Sequence, residues 1–272
     1  MNVKEIDEII EKKAGETRAL IRELDLFDAN LWLGRPQFFP LAEELRPGDL
    51  APLLAEYQIR NALLSHWDSV RLAAQDGNAA LSAVSKDLPE SVYTVWTGLP
   101  TIPREQGPLP GFDPPDPRVR GVRLFPQTHH FQLAPWVVGE LCEWCSGRSI
   151  PLFLWHVEIR WEEVHALAAA FPRLSIVIET QWQKILYRIR DLFSLLKDCS
   201  NVLVESSNFI GQDHVTQLVR SFGAERLLFG SFLPVNDPYA SIGMILDADI
   251  SREEKALIAG GNLRRLTGEV KT

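Results

Sequence analysis

The sequence predicts an α/β fold, a (β/α)8 TIM barrel with an additional N-terminal helix. Three observations predict it. Eight short apolar or β-branched runs recur along the chain, and helical patterns separate most of them. The runs are continuous rather than alternating, as expected of parallel strands buried on both faces. The 272 residues match the usual span of such a barrel, about 250 residues. The whole of 1–272 reads as one domain.

The chain opens with an amphipathic helix over 1–24. Val3, Ile6, Ile9, Ile10, Leu20, Ile21 and Leu24 stand among charges, with Gly15 as its weak point. The expected strands are 26–32, 62–66, 92–96, 121–125, 152–155, 175–178, 201–205 and 227–229. Helices are expected over 49–57, 70–76, 135–145, 161–171, 186–198, 213–222 and 251–266. No Gly-x-Gly-x-x-Gly follows the first strand, so nothing marks the dinucleotide crevice of a doubly wound sheet. The stretch 99–118 interrupts the alternation. It holds seven of the 18 prolines and cannot be helical. Leaving the third strand at its C-terminal end, it reads either as a lid or partner-binding loop over the barrel mouth or as a rigid surface connector.

Composition narrows the function classes. A net charge of −8 and a pI near 5.3 argue against nucleic-acid binding, which needs basic patches. Three cysteines make no disulfide framework and point to a reducing compartment. No apolar run reaches the length of a membrane span, and the charged start is unlike a signal peptide. The expected setting is cytoplasmic, with no membrane and no nucleic-acid partner. Eight tryptophans outnumber six histidines.

Four segments carry a resemblance. The first-strand segment 27–34 reads FDANLWLG. The stretch 121–183 runs through a strand ending in Pro126, a helix, a strand beginning at Pro151, a Phe171-Pro172 helix exit and a strand ending near Thr180. The segment 225–234 reads ERLLFGSFLP, and 261–268 reads GNLRRLTG. Taken in order, these resemble the metal-dependent amidohydrolase-2 branch of the amidohydrolase superfamily over about residues 26–268. The resemblance implies a barrel with one or two divalent metals at its C-terminal mouth, held by His and carboxylate groups as such chemistry needs.

Carried over position by position, the resemblance finds no metal ligand. The first-strand His pair falls on Asn30 and Trp32, with only the leading Asp28 kept. The fifth-strand His falls on Trp155, the sixth-strand His on Thr180, and the eighth-strand Asp on Phe232. Loss of the histidines alone would leave the last carboxylate buried and unpaired; Phe232 removes that charge. The expectation is therefore no metal and no cofactor, with an aromatic mouth in place of the metal centre.

The remaining candidates are weighed on chemistry. Arg123 matches the family's fourth-strand Lys and is expected to point inward, either anchoring an anionic ligand or pairing with Asp28 or Glu179. His156 follows Trp155, so the strand period turns it toward the helices unless the register slips. His66 ends the second strand, and His129–His130 lie on the loop after the fourth. Glu158, Glu179 and Glu205 stand at or near strand ends, where together with Asp28 and His156 they could form a relocated acid–base pair or metal site. Cys142 and Cys145 lie late in a helix and read as core, Ser206–Ser207 lacks a nucleophile motif, and His165 and His214 carry no chemistry.

Two functions follow. One is a non-metal, non-catalytic relative binding a small organic ligand or partner. Its ligand-binding residues would be Asn30, Trp32, His66, His129, Trp155, Thr180 and Phe232. The other is a metal-independent, lactonase- or esterase-like hydrolase acting on a small organic substrate, carboxylated or not. Its catalytic residues would be Asp28, Arg123 and His156. A homodimer is also open, because the 1–24 helix suits either an interface or the barrel's outer layer.

Overall fold

The computed structural model describes residues 3–39, 42–102, 117–209, 211, 213–268 and 270. Helix α1 (Val3–Leu24) leads into β1 (Leu26–Leu33). A turn of 3-10 helix precedes α2 (Leu50–Glu56), and then follow β2 (Ile59–His66), α3 (Asp68–Arg71), α4 (Ala74–Val84), β3 (Val92–Thr97) and β4 (Val119–Leu124). The pairs α5 (Pro135–Arg148)–β5 (Leu152–Trp155), α6 (Trp161–Ala170)–β6 (Ile176–Glu179), α7 (Ile189–Asp198)–β7 (Val202–Glu205) and α8 (His214–Phe222)–β8 (Leu227–Leu228) complete the barrel. Helices α9 (Pro238–Asp247), α10 (Arg252–Ala256) and α11 (Asn262–Gly268) end the described chain.

All eight strands are parallel and pair in sequence order. The barrel closes where the residues after β8 meet β1. Ala29 N–H donates to Phe229 O, Phe232 N–H to Asn30 O and Trp32 N–H to Leu233 O. This is the predicted (β/α)8 barrel with its extra N-terminal helix.

Each strand separates two environments because neighbouring side chains face opposite ways. Outward residues such as Leu152, Leu154, Ile176 and Ile178 join the large core beneath the helices. Inward residues Phe27, Ala29, Leu63, Val95, Phe153, Val177, Leu203 and Leu228 fill the barrel floor, closed from below by Leu263 and Leu266 of α11. A filled interior is what such barrels require.

Three expectations need correction. The helix expected over 70–76 is two helices, split at Ala73, whose extended backbone (φ −154°, ψ 161°) breaks the run. Helix α4 then continues to Val84, tied to β3 where Asn78 accepts from Thr97 N–H and donates to Thr97 O. The helix expected over 251–266 passes through a π-helical turn, Leu257–Gly261, between α10 and α11. Helix α9 was not expected, although Asp237 caps it by accepting from Tyr239 N–H and Pro238 opens it. Of the Pro-rich stretch 99–118, residues 103–116 lie outside the described residues.

Candidate functional site

Above the apolar floor the barrel holds a buried layer of charge. Arg123 on β4 is 1 % exposed and Glu179 on β6 is not exposed at all. The pair is bidentate: Arg123 Nε–H donates to Glu179 Oε2 at 2.9 Å, and a second N–H donates to Oε1. Arg123 also donates to Ser65 Oγ on β2, and its guanidinium lies 4.6 Å from the Trp32 ring centroid. Burial is the largest influence on Glu179 and raises its pKa, while Arg123 acts in the opposite sense. The choice of Arg123 partner left open by the sequence is thus settled as Glu179. Three of its N–H groups are used inside the protein, on Glu179 and Ser65, and its plane lies near the Trp32 ring.

A second buried carboxyl, Glu205 on β7, stands beside this pair. It accepts from Asn30 Nδ2 (3.2 Å), Thr180 N–H (3.2 Å) and Ser207 Oγ (3.0 Å), and also from Ser207 N–H. Burial, followed by the nearby Glu179 charge, pushes its pKa up to about 8. Gly230 is required here, because a Cβ on it would lie 2.0 Å from Glu205 Oε1. Asp28 is equally buried. It accepts from the backbone N–H groups of Asn30 and Ser231, both at 2.9 Å, and from Ser231 Oγ. Burial raises it, and those hydrogen bonds act against the rise.

The mouth above is filled by aromatic rings. Trp32, Trp67, Phe125, Trp155 and Phe232 are all fully buried and pack as one cluster, joined by Phe39 from the segment after β1. Ring centroids lie 4.5 Å apart for Trp32–Trp67, 6.5 Å for Trp32–Phe232 and 6.3 Å for Trp155–Phe232. Phe38 stacks on Trp182 at 5.0 Å above Trp155. Phe232 adopts a left-handed φ of 61°, a conformation more usual for Asn, Asp or Gly than for an aromatic residue. Its ring burial holds it there.

The five positions where the resemblance implies metal ligands do not fit a metal. Trp32, Trp155 and Phe232 carry no metal-binding atom. The indole N–H of Trp155 donates to Gln181 O at 2.9 Å, and that of Trp32 donates to Asn30 Oδ1 at 2.7 Å. Asn30 Nδ2 is shared between Gln181 and Glu205. Thr180 Oγ1 donates to Glu205 O and accepts from Asn208 N–H. Among the described residues, no group of three or more His, Cys, Asp or Glu is placed to hold a metal ion.

The histidines lie apart from this layer. His66 Nδ1 accepts from Asp68 N–H at 3.1 Å, and its ring covers Gly34, which has a φ of 85°. His129 Nε2 meets Ser69 O at 2.9 Å, so that nitrogen carries the proton. Burial lowers the pKa of both rings. His156 follows Trp155 in the turn after β5 and is buried. Burial, helped by Arg188, takes its pKa down to about 4. Among the described hydrogen bonds, none joins Asp28, Arg123 and His156 to one another. Glu158 is held by Thr128 through N–H and Oγ1 at 2.8 and 2.7 Å. Cys142 and Cys145 are buried in α5, where burial raises both thiols, Cys142 to about 12.

Sequence reasoning missed several members of this site. Ser65, Gln181, Phe125 and Phe39 had no motif to mark them. Trp67 was not among them: as a bulky indole directly after the second strand it is expected at the barrel mouth, and it packs there. Outside the ring cluster lies a cleft of about 600 Å3, lined among others by Phe38, Phe39, Leu53, Tyr57, Pro234 and Asp237.

Comparison with known proteins bears on this geometry. Residues 114–268 match the family model described as amidohydrolase. An uncharacterised TIM-barrel protein from Bordetella bronchiseptica superposes with a TM-score of 0.66 at 17% identity, covering 90% of this chain and 98% of its own. An amidohydrolase from Burkholderia multivorans with bound zinc gives 0.64 at 16%, covering 89% and 99%. A 5-carboxyvanillate decarboxylase from Sphingomonas paucimobilis gives 0.63 at 12%, covering 90% and 99%. At these identities the likeness is one of fold. No curated protein matches the sequence.

Proposed function

From the premise that the chain belongs to the amidohydrolase family, we propose that it is a metal-free, non-hydrolytic member whose barrel mouth has become structural core. One observation carries this reading. All five positions expected to bear metal donors are completely buried, and the polar atoms of Asn30, Trp32, Trp155 and Thr180 are bonded within the protein.

The alternative of a metal-independent hydrolase draws no support from this arrangement. Such an enzyme needs an electrophile-stabilising group and a base within reach of substrate. Arg123 is bonded to Glu179 beneath the Trp32 ring, Asp28 is bonded to Ser231, and both are buried.

Recognition then falls to the rim. The cleft of about 600 Å3 beside Phe38 has the size of a small-molecule site. Its aromatic and apolar walls are edged by Glu43 and Asp237. That setting favours a neutral or cationic organic ligand over a carboxylated one.

Turnover assays test the proposal. Lactones and activated esters are offered to the purified chain with and without added Zn2+ or Mn2+. The expected result is no saturable turnover in either case. Saturable hydrolysis that appears on metal addition would overturn the reading.

A further inference from the structure

Helix α1 spans 22 residues, about 33 Å at 1.5 Å per residue, yet only its last turn is seated on the barrel. Ile21 and Leu24 are buried, whereas every described side chain from Glu5 to Leu20 is exposed except the half-buried Ala14. The apolar stripe does not stop where the contact stops. Ile6, Ile9, Ile10 and Leu20 continue it and are 39–58 % exposed. A projecting helix with an open apolar face gains little stability of its own.

Two features of the chain choose its partner. The first is charge. Residues 3–11 carry four carboxylates against one lysine, and residues 12–24 carry four cations against two carboxylates. Laid antiparallel, two copies set acidic half against basic half; laid parallel, they set like against like. The second is a groove of about 340 Å3 at the base of the helix, with apolar walls from Leu20, Leu24, Leu246 and Ala256 and an edge of both signs from Glu23, Glu253, Arg252 and Lys255. An antiparallel partner brings its N-terminal half to that groove. Its isoleucines then face apolar walls, and its acidic half lies along the basic half of the first helix.

We propose that α1 is a dimerisation arm: two copies of the chain pair their first helices antiparallel, and Ile6, Ile9 and Ile10 of one copy seat in the groove at the base of the other's helix. The acidic first half makes the same helix a poor match for an anionic lipid surface, which attracts basic faces.

Sedimentation velocity of the full chain tests this. The expected result is a dimer that weakens as salt rises, because the paired halves are exposed to screening. Ile6→Glu/Ile10→Glu, which alters only exposed positions, is expected to weaken it by about a hundredfold in Kd with an unchanged near-UV spectrum. Glu8→Lys/Glu11→Lys and Lys12→Glu/Arg18→Glu are each expected to be monomeric alone and to form a heterodimer when mixed. Any of three results would overturn the proposal. These are a monomeric wild-type chain, a dimer indifferent to the isoleucine substitutions, or a monomer that floats with phosphatidylserine vesicles.

Discussion

The indole N–H of Trp32 donates to Oδ1 of Asn30, two residues before it on strand β1, at 2.7 Å. These are the two positions where the family resemblance implies a metal-binding His pair. Their polar atoms are instead bonded to each other, to Gln181 and to Glu205.

That bond has a measurable cost of removal. Trp32→Phe deletes the donor and leaves Asn30 Oδ1 buried without it, which costs about 1–3 kcal/mol, and the smaller ring adds a cavity. Urea unfolding followed by circular dichroism is expected to show the loss. A change under about 0.5 kcal/mol, the range of a surface substitution, would contradict the packing described.

The buried ion pair gives a sharper test. Arg123→Met leaves Glu179 buried without its counter-charge, and Glu179→Leu leaves Arg123 so; each is expected to cost about 3–5 kcal/mol. The double variant removes both charges and is expected to recover most of that loss. Additive losses in the double-mutant cycle would show that the two side chains do not act together.

Glu205 sets a pH dependence. Its folded pKa, near 8, lies above the ordinary carboxyl value, so the folded state holds a proton that the unfolded chain releases. The stability this contributes is full below about pH 4.5 and is lost as pH rises toward about 8. Glu205→Gln is expected to flatten the decline in Tm over that window. His156 acts the other way: its lowered pKa, about 4, gives stability present above about pH 6.5 and lost as pH falls through 4. A Glu205→Gln chain with the same neutral-side slope as wild type would rule out this assignment.

Thiol chemistry reports on the α5 core. Cys142, Cys145 and Cys199 are buried with raised pKa values, so a thiolate-specific reagent is expected to react slowly with the native chain and with all three thiols in denaturant. Rapid labelling of Cys142 or Cys145 in the native state would indicate a reactive pair rather than core.

Much of this fold was legible because parallel strands buried on both faces leave continuous apolar runs. The runs at β5 and β6 needed nothing more. Helix boundaries were less legible. Nothing in the composition of 70–76 announces the extended Ala73, and α9 was overlooked despite its Asp237–Pro238 start. At the site, the placing of Trp32, Trp155 and Phe232 at the barrel mouth could be read from position, because the flanking motifs fix the register. The partners could not. Strand periodicity says that Arg123 points inward but not which carboxyl on which distant strand it meets. Gln181 and Ser65 join the polar layer only through strands brought together by barrel closure.

Metal content decides between a rebuilt mouth and a metal centre. The purified chain, dialysed with micromolar Zn2+ or Mn2+ and then against metal-free buffer, is analysed for bound metal by mass spectrometry. A packed aromatic mouth predicts far less than one ion per chain. One tightly held ion per chain, lost on Phe232→Ala or Asn30→Ala, would contradict it.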